Sequence, residues 1–261
     1  MSAIILAVVV VTVIGIICAV ILAVASKVMY VPVDERVTQL SEVLPGANCG
    51  GCGFPGCDGY AAALVADPDL PLTLCAAGGA ACAKAMGEIL GKDAGEMVEK
   101  RAFIACTGDC TKTANKMEYV GIDTCKAAKV MFGGAGNCTF GCMGLGDCAK
   151  VCTNDAICIE NGIAHVDTRV CNGCGACSRV CPNSVIHILP MDVPVFVACS
   201  NKDKGAVANK KCTAACIGCG MCMRKCPQGA IKLENNLAVI DYEKCTGCGT
   251  CKEVCPKKCI H

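Results

Sequence analysis

Between Cys216 and Cys255 the chain reads C-x2-C-x2-C-x3-C-P twice: Cys216, Cys219, Cys222, Cys226-Pro227, then Cys245, Cys248, Cys251, Cys255-Pro256. This pattern constrains the backbone more than any other feature of the sequence. Three closely spaced thiolates grip one compact group, and the fourth, next to proline, reaches a second group held by the other half. Eight thiolates so arranged predict a two-cluster [4Fe–4S] unit, with Cys216, Cys219, Cys222 and Cys255 on one cluster and Cys245, Cys248, Cys251 and Cys226 on the other.

Composition agrees. Cysteine supplies 29 of 261 residues, a density that signals either a disulfide scaffold or metal binding. Disulfide scaffolds belong to small secreted domains. Here the cysteines come in C-x2-C sets with no cleavable signal pattern before them, which points to coordination in a reducing compartment. Aromatic residues are 3% and tryptophan is absent, so large side chains for an ordinary core are few. Bound clusters then replace much of that core, because metal-binding free energy becomes folding free energy.

Ala3 to Ala25 is an uncharged run of Ile, Val, Leu and Ala, longer than the roughly 20 residues a helix needs to cross a bilayer. A cleaved signal peptide is the rival reading; it needs a basic segment before the run and a shorter apolar stretch. Neither is present. Lys27 and Arg36 follow the run, so the positive-inside rule puts the remainder in the cytoplasm. The expectation is a single-pass anchor in the cytoplasmic membrane. Cys18, inside the span, reads as a small apolar residue.

Val31 to Pro45 reads as a connector. Then come Cys49, Cys52, Cys57 and Cys75, spaced C-x2-C-x4-C-x17-C around a glycine-rich loop, with a helical-looking stretch at Asp58–Ala66. Glycines there let backbone N–H groups approach cluster sulfurs. Four thiolates suffice for a [4Fe–4S] cluster, and a zinc knuckle is the alternative. Ala80 to Lys100 reads as one amphipathic helix, with Cys82 a buried thiol. Cys106, Cys110 and Cys125 follow without a standard spacing; they either contribute to a sixth cluster or are inert.

The ferredoxin pattern also appears upstream in altered form. Gly141–Cys152 aligns with Ala215–Cys226, except that Leu145 stands in the place of Cys219 and Thr153 in that of Pro227. Cys138 is the expected substitute ligand, which leaves its counterpart Cys212 redundant. The partner half is regular: Cys171, Cys174, Cys177 and Cys181-Pro182. The expected sets are therefore Cys138, Cys142, Cys148 and Cys181, and Cys171, Cys174, Cys177 and Cys152. The flanks repeat as well. Ala156–Asp167 matches Ala230–Asp241, each a short hairpin around Asn-Gly or Asn-Asn, and Phe103-Ile-Ala-Cys106 matches Phe196-Val-Ala-Cys199.

The fold class expected is α+β: a transmembrane helix over 1–27, a small α-rich 4Fe-4S domain over 28–101, and two bacterial ferredoxin-like units over 102–194 and 195–261. Five [4Fe–4S] clusters are expected. No phosphate loop, nucleophile–base pair or dinucleotide fingerprint accompanies them, so no substrate-transforming site is expected, and no nucleic-acid partner. Net charge is +1, yet from Cys199 onward 11 Lys and Arg face 5 Asp and Glu. A basic unit of that kind suits an acidic docking partner, against the plainer reading of a solvated lysine face.

The span, the Cys-Gly-Gly-Cys-Gly-Phe-Pro-Gly-Cys loop with Cys75, and the ferredoxin repeats together resemble the B subunit of the Rnf ion-translocating ferredoxin:NAD oxidoreductase complex, over essentially the whole chain and in its longer form. The resemblance implies a receiving subunit on which soluble acidic ferredoxin docks. Other membrane subunits would then reduce NAD and pump Na+ or H+. Leu145 and Thr153 depart from the regular motif. Rival readings are a membrane-bound polyferredoxin serving another reductase or a redox-sensing regulator, and a thiol-rich metal store.

Overall fold

The computed structural model describes residues 2–28 and 34–261. Helix α1 (Ser2–Val28) holds the apolar run. Its Val9–Lys27 stretch is long and apolar enough to cross a membrane and is not buried against the rest of the protein. At 1.5 Å per residue the whole helix is about 40 Å long, more than a hydrocarbon core of about 30 Å.

The expected connector over Val31–Pro45 begins outside the described residues and then forms a helix, α2 (Glu35–Val43). Asp34 caps it by accepting the Arg36 N–H at 2.9 Å. Helix α2 packs on α3 (Cys57–Ala66) and α4 (Gly79–Leu90) around buried Leu40, Tyr60, Leu64 and Met86. The helix expected over Ala80–Lys100 is shorter than that. Gly91 turns left-handed at φ 65° and closes α4 with its N–H on Gly87 O.

Strand β1 (Lys100–Ile104) pairs antiparallel with β4 (Ile186–Pro190), tying the start of the first ferredoxin-like unit to its end. Between them lie α5 (Cys125–Val130), α6 (Asp147–Lys150), the hairpin β2 (Ile157–Glu160) and β3 (Ile163–Val166), and α7 (Ala176–Val180). The second unit repeats this order. It has α8 (Gly205–Lys211), α9 (Met221–Lys225), the hairpin β5 (Ile231–Glu234) and β6 (Leu237–Ile240), and α10 (Thr250–Glu253). Both hairpins turn on residues in the left-handed region, Asn161-Gly162 and Asn235-Asn236, as their sequences require. Phe103 lies opposite His187 in β1–β4, and Phe196 exchanges backbone hydrogen bonds with His261 at 2.9 and 3.0 Å. The duplication thus extends to strand register.

Each unit's core is unusual for its sulfur. In the second, six of the 13 buried core residues are cysteines (Cys199, Cys212, Cys216, Cys222, Cys251 and Cys259), so the interior is organised around thiols rather than aliphatic side chains. The first has its own smaller core around Ala102, Val185 and Ile186. The two units meet where Phe103 packs on Phe196, ring centroids 5.1 Å apart. Beside them the Thr107 hydroxyl donates to Ala198 O and the Ser200 hydroxyl to Ala105 O. Thr107 and Ser200 follow the equivalent cysteines, so this is a reciprocal, pseudo-twofold contact.

Candidate metal centres

The C-x-G-C-G segments build the sites. In the second unit Gly218 and Gly220 take φ of 63° and 69°, and a methyl group on Gly218 would lie 2.8 Å from Asn236 O. Glycine alone permits both the turn and the close approach. The turn points backbone N–H groups at sulfur: those of Gly218 and Ala238 meet Cys216 Sγ. The first unit copies this, with the N–H groups of Gly144 and Ala164 on Cys142 Sγ. Hydrogen bonds to ligand sulfurs of this kind help set cluster potentials.

Cys216, Cys219, Cys222 and Cys255 line one pocket, and Cys226, Cys245, Cys248 and Cys251 another. Near Cys177 lie Cys171, Cys174 and Cys152. Cys49, Cys52, Cys57 and Cys75 line a pocket under buried Tyr60. Asn48, at φ 45°, shapes that loop by accepting the Cys57 N–H at 2.8 Å. In each case the partners expected from spacing are brought together. Among the described residues no two cysteines are joined in a disulfide. Sulfurs arranged around a shared space, with backbone N–H groups aimed at them, fit a [4Fe–4S] cluster.

The altered half departs from expectation. The pocket holding Cys142, Cys148 and Cys181 is completed by Cys125, not Cys138. Cys125 opens α5, which Thr124 caps by accepting the Ala127 N–H at 3.2 Å. Asp147, at the start of α6, accepts the Lys126 N–H at 3.1 Å and so pins α5 over the site. The sequence does carry a signal for this. From Cys106 to Cys138 the chain advances 32 positions, while from Cys199 to Cys212 it advances 13. The extra segment of the first copy contains Cys125, beside the place that Leu145 leaves without a thiol.

Cys138 and Cys212, one expected to be a ligand and the other redundant, line the same cavity as Cys106 and Cys199. Cys110 and Cys158 are exposed. Of the trio Cys106, Cys110 and Cys125, considered together for a sixth cluster, Cys110 lines the cavity with Cys106 while Cys125 lies at the Cys142 site.

Two further thiols touch ligand sulfurs. Cys82 donates to Cys75 and holds its thiol down at about 6. Cys259 does the same for Cys216, also to about 6, and lies 3.6 Å from Cys255 Sγ. Thiol donors to sulfur favour the thiolate, the form that binds metal.

The N-terminal site adjoins the first unit directly. The Arg179 guanidinium donates to Cys49 O at 2.8 Å, and a methyl group on Gly51 would lie 2.6 Å from Cys174 O.

Comparison with known proteins fits these sites. An Fe-S cluster family model matches residues 44–76, and 4Fe-4S dicluster models match 170–231 and 208–256. The chain is 44% identical to the B subunit of the Na(+)-translocating ferredoxin:NAD(+) oxidoreductase complex of Acetobacterium woodii, over 94% of this chain and 73% of that protein. It is 46% identical to the B subunit of the proton-translocating ferredoxin:NAD(+) oxidoreductase complex of Clostridium ljungdahlii, over 92% and 85%. The chain belongs to the Rnf-type B-subunit family. The B subunit of the ion-translocating oxidoreductase complex of Methanosarcina acetivorans, 37% identical over 88% of this chain and 87% of that protein, is another relative. As a member of this family the chain is an electron-transfer subunit of an oxidoreductase complex and carries [4Fe–4S] clusters. Its apolar α1 is consistent with membrane anchoring. The dicluster match over 170–231 joins the regular half of one unit to the regular half of the next.

Proposed function

We propose that this protein receives electrons from a soluble acidic ferredoxin at its C-terminal unit and passes them toward the anchor, on to partner subunits that reduce NAD and move Na+ or H+. The carrying observation is the accessibility of Cys248. It is the exposed member among the twenty ligand cysteines expected from sequence, the others being buried or half-buried. Its unit holds the excess of basic residues, with Arg224, Lys225, Lys244 and Lys252 exposed. A basic surface around an accessible site steers an acidic donor.

In this reading there are five sites: Cys226, Cys245, Cys248 and Cys251; Cys216, Cys219, Cys222 and Cys255; Cys125, Cys142, Cys148 and Cys181; Cys152, Cys171, Cys174 and Cys177; and Cys49, Cys52, Cys57 and Cys75. Bound clusters supply one-electron chemistry, and the chain's part is to hold, space and shield them. The division into an anchor, an N-terminal cluster domain and two ferredoxin-like units, with the cluster-bearing part on the cytoplasmic side, belongs to the same reading. Reduction of the full chain by ferredoxin is expected to slow with added salt and with Lys225→Glu combined with Lys252→Glu. Rates indifferent to both changes would refute docking at this face.

A further inference from the structure

The two units meet over a cavity of about 790 Å³ that extends beneath the 107–123 segment. Its wall carries five cysteines that the five sites leave unused: the exposed Cys110, and the buried or half-buried Cys106, Cys138, Cys199 and Cys212. We infer that the latter four thiols hold a sixth [4Fe–4S] cluster on the pseudo-twofold axis between the units. The inference rests on the cluster-relay reading above.

The first support is symmetry. Each unit contributes the same two positions, the cysteine of Phe-x-Ala-Cys and the cysteine four residues before the first motif cysteine. The second is convergence. A methyl group on Gly108 would lie 3.2 Å from Cys212 Sγ and 3.7 Å from Cys106 Sγ. One on Gly141 would lie 3.4 Å from Cys106 Sγ and 3.6 Å from Cys138 Sγ. Sulfurs from both units therefore flank the same space. Glycine keeps the backbone against them.

The third support is hydrogen bonding. Cys199 Sγ accepts the N–H groups of Asn201 at 3.4 Å and Cys216 at 3.3 Å. Cys106 Sγ accepts those of Gly108 and Cys142, the latter at 3.3 Å, in the same relative positions. Cys212 faces the N–H groups of Ala214 and Ala215. Cys138 Sγ accepts the side-chain amide of Asn201 at 3.3 Å. Asn201 is only 1% exposed, the buried polar residue among a core of apolar groups and thiols. Backbone donors aimed at sulfur are what the motif sites provide at Cys142 and Cys216, and what a set of inert thiols does not need.

Cys216 belongs to a site of the second unit and Cys142 to a site of the first. Each donates its backbone N–H to a sulfur of the inter-unit set. A cluster there lies one residue from both neighbours and closes the gap between the two units. On binding, four thiols lose their protons as four iron–sulfur bonds form.

Native mass spectrometry of the anaerobically reconstituted full chain tests this by counting clusters. Six in the wild type, and five in Cys106→Ser combined with Cys199→Ser, are expected. Cys158→Ser, at an exposed thiol away from the cavity wall, should keep six. Five in the wild type, six in the double variant, or a zinc ion in place of the sixth cluster would overturn the site while leaving the relay intact. No clusters at all would sink both. The wild-type count decides even if the double variant fails to fold.

Discussion

Gly51→Ala gives a sharp test of how the N-terminal site joins the first ferredoxin-like unit. Gly51 does not occupy the left-handed region, so alanine suits its backbone and the effect is purely steric. The new methyl would lie 2.6 Å from Cys174 O, where ordinary contacts begin near 3.4 Å, so the surfaces must part by about 0.8 Å. Overpacking of this kind costs about 1–3 kcal/mol. The Arg179–Cys49 hydrogen bond across the junction has an exposed donor, which discounts it to about 1 kcal/mol or less. Set against that bond, the overpacking leaves a net cost of up to about 2 kcal/mol, which lowers the ratio of docked to undocked N-terminal domain by up to about 30-fold. The assay is freeze-quench EPR after rapid reduction of the full chain. All clusters should be present, those of the two ferredoxin-like units should reduce at wild-type rate, and the N-terminal one should lag. Wild-type kinetics throughout would refute the reading that the close Gly51–Cys174 junction carries electrons between the first unit and the N-terminal site. Loss of the N-terminal cluster itself would show that Gly51 serves its own site rather than the junction.

Three further outcomes follow from the same geometry. Cys125→Ser should lower iron content by about four atoms per chain, and adding Leu145→Cys, which restores the regular motif, should recover them; no loss, or no recovery, contradicts the substitution of Cys125 for the missing thiol. Stripping iron with chelator and oxidant should abolish cooperative melting of the second unit by circular dichroism, because six of its 13 core residues are cysteines; an unchanged melt would mean that the aliphatic residues suffice. The N-terminal helices, packed around Leu40, Tyr60, Leu64 and Met86, should keep more of their helical signal under that treatment.

The regular motifs were legible because spacing along the chain dictates them: C-x2-C-x2-C-x3-C closes locally, and only the fourth cysteine needs tertiary structure. The hairpins were legible for a similar reason, since Asn161-Gly162 and Asn235-Asn236 fix their own turns. What escaped was long-range. Cys125 reaches its partners because Asp147 pins α5, a contact spanning 21 positions that no spacing rule encodes. Cys138 stands closer to Cys142 in sequence, and proximity along the chain was the misleading cue. Cys106, Cys199 and Cys212 stood out as unassigned thiols, but their grouping with Cys138 escaped because each pair makes sense only when the two copies face each other. The overlong α4 is a lesser case, in which apolar periodicity continued past a glycine that ends the helix at φ 65°.

The central claim is that the chain is a multi-cluster relay fed by ferredoxin. Anaerobic titration of the oxidised, fully loaded chain with reduced ferredoxin tests it most directly, following bleaching of the visible cluster absorbance. At one electron per cluster, the account predicts uptake of about six electrons per chain, with the exposed Cys248 site filling fastest. A loaded chain that a small-molecule reductant bleaches but reduced ferredoxin does not would contradict it.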